Sequence, residues 1–340
     1  MLDKTGVLLV NLGTPDSPSV RDVRSYLSQF LNDPRVIDIP WLARKILVNL
    51  IIVPFRAPKS AAIYKKLWTP NGSPLLYYSL RVRDLLQQEL GNDNFEVFLA
   101  MRYKNPSIEV VLETMRKKNF SRIVVIPMFP QYASASTGSA HEEVMRVIRP
   151  WWVIPEIKFI CQYYDHPSFI DALVDRGSKY DIDDYDHILF SYHGLPERQV
   201  DKVYSGGLCS DHNCENEITV ENKFCYKATC YATTRSLVSR LNIPDDKYTV
   251  CFQSRLDKKW LEPFSDKVVE ECAKKGMKRI LVFSPAFTAD CLETIIEIGD
   301  EYQEIFSHHG GEKVQLVESL NDHPTWIKTL KELVLDGRGS

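Results

Sequence analysis

Short runs of β-branched and apolar residues recur along this chain, each followed by a turn and then by a stretch of helical period. Such alternation points to parallel strands, because a parallel pair needs a crossover helix between its members. The runs at 6–11, 95–100, 122–127, 157–161, 187–192, 248–253, 279–284 and 314–317 read as strands. Helical stretches fall at 20–31, 76–90, 107–118, 140–148, 166–180, 231–241, 262–275, 291–306 and 324–335. Loops opening on Pro, Gly, Ser or Thr precede the helices, as capping at the carboxyl edge of such a sheet requires.

An internal echo points to two similar halves. Arg122-Ile-Val-Val-Ile-Pro and Arg279-Ile-Leu-Val-Phe-Ser each lead into a polar loop and a helix, and Trp151-Trp152 between Pro150 and Pro155 marks the joint. The expected layout is one α/β domain over 1–153, a second over 154–319 with a cysteine-rich insertion at about 205–230, and a C-terminal helix in 320–340. A chain of 340 residues has room for two such domains. Each would be a parallel sheet flanked by helices, with a cleft between their carboxyl edges. Neither a GxGxxG nor a P-loop signature occurs, so nucleotide-binding readings lack their fingerprint.

Charge removes another class. Lys and Arg total 42 against 45 acids, a net charge of -3, so no basic excess is present to neutralise nucleic-acid phosphates. No run reaches the roughly 20 apolar residues of a membrane span. The N-terminus reads as a first strand rather than a signal peptide, which makes a cytoplasmic location the expectation. There any cluster among the eight cysteines reads as metal binding before a disulfide framework, while the dispersed Cys161, Cys251, Cys272 and Cys291 read as core or near-core residues.

Five constellations could carry chemistry. Asp290, Glu293, Glu297 and Glu301 step by three or four, stacking on one helix face that could serve a divalent cation or departing protons, or could be a solvated acidic face. His193 follows a buried-type strand and can act as base or metal ligand. The loop 130–139 carries Tyr132, Ser136 and Thr137 at a helix start, suited to a carboxylate or phosphate or to simple capping, while Arg102-Tyr103 follows a strand and could serve the same edge or form an ordinary surface salt bridge. Cys209, Cys214, Cys225 and Cys230 form C-x4-C-x10-C-x4-C, a thiolate set for Zn2+ or an iron–sulfur cluster. The apolar stretch 41–56, too short to span and flanked by basic residues, reads as a buried helix or as a lip touching a membrane surface.

Together these segments resemble the ferrochelatase family, enzymes that insert Fe2+ into a porphyrin. The resemblance rests on Leu9-Val-Asn-Leu-Gly-Thr-Pro15, Gly72-Ser-Pro74, Arg102-Tyr103, Pro130-Gln-Tyr-Ala-Ser-Ala-Ser-Thr-Gly-Ser139, Ser191-Tyr-His-Gly-Leu-Pro196, Gln253-Ser-Arg255, Trp260 and Ala286-Phe-Thr-Ala-Asp-Cys-Leu-Glu-Thr294. It implies two Rossmann-like domains with the porphyrin between them and no nucleic-acid partner. His193 would be the active-site histidine, Glu293 its partner carboxylate, and Asp290 and Glu297 the acidic path behind it. His193 or Glu293 would meet the Fe2+ substrate. Arg102, Tyr103, Tyr132 and Trp260 would line the pocket, and the hydroxyls of Ser136 and Thr137 would serve the substrate. The imidazole and the acids are expected to converge from opposite walls. The cysteine insertion resembles the internal [2Fe-2S] site of certain bacterial members, with Zn2+ as the alternative. Protoporphyrin IX is the expected ring and protohaem the product, with coproporphyrin III, or cobalt insertion into an earlier tetrapyrrole, as alternatives. The lip 41–56 would allow peripheral contact with the inner membrane.

Overall fold

A computed structural model describes residues 4–336. The chain divides into two compact units, one of 4–129, 133–162 and 327–336, the other of 130–132 and 163–326.

The first unit holds strands β1 (Thr5–Gly13), β2 (Phe95–Tyr103), β3 (Arg122–Pro127) and β4 (Glu156–Phe159). They pair in parallel in the order β2-β1-β3-β4. Its helices are α1 (Val20–Leu31), α2 (Trp41–Ile46), α3 (Val53–Leu67), α4 (Pro74–Leu90), α5 (Ile108–Arg116) and α6 (Ser139–Ile148). Because β4 pairs with β3, the unit runs past the expected limit of 153 to Gln162. On one sheet face Leu8, Val10, Ile123 and Val125 pack against Leu112, Met115, Ala140 and Val144 of α5 and α6. Each fully buried Leu, Val, Ile or Met among them contributes roughly 1.5–3 kcal/mol of transfer free energy. Gly13 closes β1 with φ +115°, and any side chain there would strike the Tyr103 carbonyl.

The second unit repeats the plan. Strands β5 (His187–His193), β6 (Tyr248–Gln253), β7 (Arg279–Phe283) and β8 (Lys313–Leu316) pair in parallel in the order β6-β5-β7-β8. Its helices are α7 (Pro167–Gly177), α8 (Glu197–Val200), α9 (Tyr226–Leu241), α10 (Ser265–Lys274) and α11 (Gln303–His308). β3 and β7, the strands that echo one another in sequence, hold equivalent places in their sheets. The expected C-terminal helix is α12 (Pro324–Leu335), which runs through the last change of unit; residues 337–340 lie outside the described ones.

Among the described residues, three π-helical segments interrupt the α pattern: Leu47–Ile52, Ser134–Gly138 and Glu293–Tyr302. The first joins α2 to α3, making one helical run, Trp41–Leu67, that is long and apolar enough to cross a membrane by length and composition. The apolar stretch therefore reaches further than the sequence reading allowed. Tyr64 packs edge-on against Tyr26 of α1, and Asn49 accepts from Ser28, so one side of the run is held by its own unit. The other side leaves Trp41, Leu42, Ile46, Leu50, Ile51 and Phe55 exposed.

Candidate active site

In an open parallel sheet, ligands bind beyond the carboxyl ends of the strands, where the chain order reverses direction. In the second unit that point lies between β5 and β7. His193 is the last residue of β5, and the segment after β7 leads into the π-helix that begins at Glu293. The two are therefore neighbours at one sheet edge, not groups facing each other across a cleft.

His193 is fixed by its own loop. Its Nδ1 lies 2.6 Å from the Gly194 carbonyl oxygen, which can only accept, so Nδ1 donates in that contact, and in the neutral ring Nε2 is the nitrogen with the lone pair. Gly194 must be glycine because a Cβ there would sit 2.7 Å from the Gln253 carbonyl. The imidazole centroid is 6.5 Å from the Trp260 ring and 6.4 Å from Phe287, an apolar collar on the histidine.

The acidic ridge is shorter than the sequence suggests. Asp290 precedes the helix: its backbone N–H donates to Asn321 Oδ1 at 2.9 Å, and its carboxylate accepts from Asn321 Nδ2 at 2.9 Å. Asn321 thus holds it in the loop, and helical stacking cannot include it. Glu301 is exposed. Glu293 and Glu297 remain, half-buried, on a ten-residue π-helix whose Ile298 and Tyr302 anchor in the core beneath. π-helical turns are uncommon and cluster at functional sites.

Glu297 is the most heavily supported of these acids. Its carboxylate accepts from the Ser254 backbone N–H at 2.9 Å, Ser254 Oγ at 2.5 Å, Gln253 Nε2 at 3.1 Å and Tyr302 Oη at 3.3 Å. Ser254 presents both donors by adopting φ +62°, a left-handed conformation that costs of order 1 kcal/mol in a non-glycine residue and that recurs at active sites. Gln253 also donates to the Glu293 carbonyl at 3.0 Å, and Ser191 Oγ pins its Oε1 at 2.8 Å. Burial holds the Glu297 carboxyl above its usual 4.5; the Ser254 donor pulls it back, the Glu293 charge pushes it up, and His193 lowers it.

A folded-state pKa above the unfolded one contributes stability below about pH 4.5 that is lost as pH rises through the folded value. Glu297→Gln is therefore less destabilising at pH 7 than at pH 4. Thermal melts of both proteins across that range read it, and a difference independent of pH would refute the buried-carboxylate account.

The remaining expected residues belong to other segments. In the first unit Asp33 Oδ2 accepts from Arg102 Nη2 at 2.7 Å, Tyr103 Oη at 2.9 Å and Ser139 Oγ at 2.5 Å. Arg102 Nε also donates to Ser139 Oγ at 2.7 Å. Tyr103 is buried, and burial together with the Asp33 charge raises its phenol far above the usual range. A groove of about 580 Å³ opens beside this network, lined by Asp33, Arg102, Tyr103, Lys45 and Lys104. Ser136 lies on the π-turn before α6, and Thr137 beside it is buried with its hydroxyl unpartnered among the described residues. Tyr132 belongs to the second unit and meets the Phe224 ring at 5.8 Å.

Among the described residues, three of the four expected thiols converge: Cys209, Cys214 and Cys225, all buried. Cys230 is buried in α9 and is not one of the group. Cys225 precedes α9 as its extended N-cap, whereas Cys230 lies within the helix. Of the other cysteines, Cys251, Cys272 and Cys291 are buried as expected, but Cys161 is exposed.

Gln253, Ser254 and Asp33 carry these networks without having been singled out for a role. A polar Gln-Ser pair ending a buried strand at the same edge as His193 is a usable signal for the first two. Asn32-Asp33-Pro34 reads only as a turn.

Two twisted parallel sheets with a histidine and paired carboxylates at one carboxyl edge define a chelatase-type α/β protein. Solved structures of like fold include SirB from Bacillus subtilis with Fe3+, at TM-score 0.53 and 13% identity over 98% of this chain and 95% of that one. Another is the sirohydrochlorin chelatase SirB from Bacillus subtilis subspecies spizizenii in complex with cobalt, at TM-score 0.51 and 13% identity over 98% of both. Those identities speak for the fold alone. A family profile described as Ferrochelatase matches residues 4–337. A ferrochelatase of Coxiella burnetii (strain CbuK_Q154) is 44% identical over 97% of this chain and 93% of its own. One of Legionella pneumophila (strain Lens) is 43% identical over 97% and 98%. This chain belongs to the ferrochelatase family, and it is a metal chelatase, a lyase.

Proposed function

We propose that this chain inserts Fe2+ into protoporphyrin IX, with the chemistry at the β5–β7 edge of the second unit. The observation that supports it is the pairing of an imidazole whose free nitrogen is Nε2 with a carboxyl, Glu297, whose proton affinity burial raises. Metallation releases two pyrrole protons, so the site needs a base and an outlet for them. His193 Nε2 takes a pyrrole proton, and Glu293 and Glu297 carry it from the ring. The Glu293 charge also favours the approach of Fe2+. Asp290, tied to Asn321, stands at the outer end of that path. Trp260 and Phe287 give the collar an apolar surface suited to a flat macrocycle.

Arg102, Tyr132, Ser136 and Thr137 serve as substrate contacts in this reading. Arg102 keeps its Nη1 outside the Asp33 and Ser139 contacts, leaving a donor for a ring carboxylate. Tyr103, buried, holds Asp33 in place. The exposed side of the 41–56 helix, with Lys45, Arg56 and Lys59 beside it, is the part that lies against a membrane surface and brings the enzyme to an apolar ring. Vesicles of phosphatidylglycerol should carry the protein upward on a density gradient, and Phe55→Glu should weaken that; flotation of neither protein removes the membrane contact.

The direct test is anaerobic: Fe2+ with protoporphyrin IX or coproporphyrin III, following the haem spectrum. Faster turnover of protoporphyrin IX is expected. A clear preference for coproporphyrin III, or insertion of Co2+ but not Fe2+, would overturn the substrate assignment.

A further inference from the structure

The insertion between α8 and α9 lacks the ordinary means of holding its shape. Within 205–224 the only regular element among the described residues is the short 3-10 turn Cys209–Asp211. Its large apolar side chains point outward: Val220 is 84% exposed, Leu208 54% and Phe224 39%. What it buries instead is Cys209, Cys214, Cys225 and Asn222. A segment of this length without an apolar core needs a covalent or metal staple.

The sulfur geometry indicates which. The Sγ separations are 3.8 Å for Cys209–Cys214, 3.5 Å for Cys209–Cys225 and 3.8 Å for Cys214–Cys225. A disulfide needs about 2.05 Å, so no pair is bonded. Three thiolates each about 2.3 Å from one tetrahedral ion stand about 3.8 Å apart, which is this triangle. A two-iron cluster uses four cysteines, two on each iron, so a third thiolate cannot keep a single-ion edge to both members of a pair. Cys230, the fourth expected thiol, sits in α9 outside the group of three sulfurs that lie together.

The surroundings suit bound thiolates. Cys214 Sγ lies 2.9 Å from Tyr204 Oη and 3.8 Å from Asn222 Nδ2, both able to donate to a charged sulfur. At 2.9 Å the Tyr204 oxygen is closer than the roughly 3.5 Å that a sulfur and an oxygen on one tetrahedral ion would keep, so it supports a ligand rather than being one. Its ring stacks on His212 at 3.9 Å. Backbone anchors set the other two thiols: Cys209 N donates to Asp201 Oδ1 at 2.8 Å, and Cys225 N to the Asn222 carbonyl at 2.7 Å.

We infer that the insertion holds one zinc-type divalent ion on Cys209, Cys214 and Cys225, with Cys230 outside the ligand set. Binding exchanges up to three S–H protons for three metal–sulfur bonds, and a solvent oxygen takes the fourth position. The ion is distinct from the Fe2+ substrate at His193, and its presence does not depend on chelatase turnover.

Metal analysis of the purified full chain, washed with a weak chelator to strip loosely held iron, tests this. About one zinc per chain is expected in the native protein and in Cys230→Ala, and less than about a tenth as much in Cys209→Ser or Cys225→Ser. Because the ligand variants could lose their fold, Co2+ titration of native protein and Cys230→Ala gives a second readout. Thiolate-to-cobalt absorption should saturate at about one equivalent in both. Brown protein with two irons and two labile sulfides per chain, lost in a folded Cys230→Ala, would overturn the assignment in favour of a four-cysteine cluster. Native protein that takes up neither metal would overturn it too.

Discussion

His193→Ala should lower Fe2+ insertion by about 10³-fold or more, while the affinity for porphyrin changes little. A positioned base contributes roughly 10²–10⁴-fold, and this one is prepared for the task. Its Nδ1 is committed to the Gly194 carbonyl, so a single tautomer presents Nε2 without a further reorganisation cost. His187 opens the same strand at its far end, where it meets Thr249. The porphyrin contacts proposed elsewhere are untouched, so quenching of porphyrin fluorescence should report binding close to native. Glu293→Gln, which keeps shape and removes charge, should lower turnover without altering binding. Wild-type turnover in His193→Ala would end the role of the histidine, and wild-type turnover in Glu293→Gln would end that of the ridge.

Asp33→Ala should cost about 3–5 kcal/mol of stability, a large share of what a domain has. One carboxylate oxygen accepts from Arg102, Tyr103 and Ser139, and Oδ1 accepts from the Arg35 backbone N–H at 2.7 Å. Its removal strands a largely buried guanidinium and a buried phenol, and stranded buried groups cost more than the lost pairing alone. Arg102→Ala combined with Asp33→Ala should therefore be less destabilised than the two single losses added together. Denaturant unfolding of the four proteins completes that cycle. Strict additivity, or a loss below about 1 kcal/mol for Asp33→Ala, would show that the network adds little.

Much of the site was legible before any coordinates. β3 matches the run 122–127, and β6 matches 248–253, because buried parallel strands are short apolar runs bounded by turn residues. His193 stands out because it ends such a strand, and the family's motifs lead to Glu293. The π-helix was not legible: 291–306 has helical period, but whether the turn closes at i+4 or i+5 depends on what packs on it. Here Gln253 takes the Glu293 carbonyl, and Ile298 and Tyr302 seat in the core. The same reason removed Asp290 from the ridge, since Asn321 captures it from a segment some thirty residues away in sequence.

Sequence alone determined the parallel α/β plan, the two related halves and the family, because each is written in local period or in a contiguous motif. Tertiary structure alone decided that His193 and Glu293 share one sheet edge, that Asp33 gathers Arg102 and Tyr103, and that Cys230 stands apart from its three neighbours. Those outcomes depend on strand order, on burial and on which thiols the fold gathers, none of which residue spacing encodes.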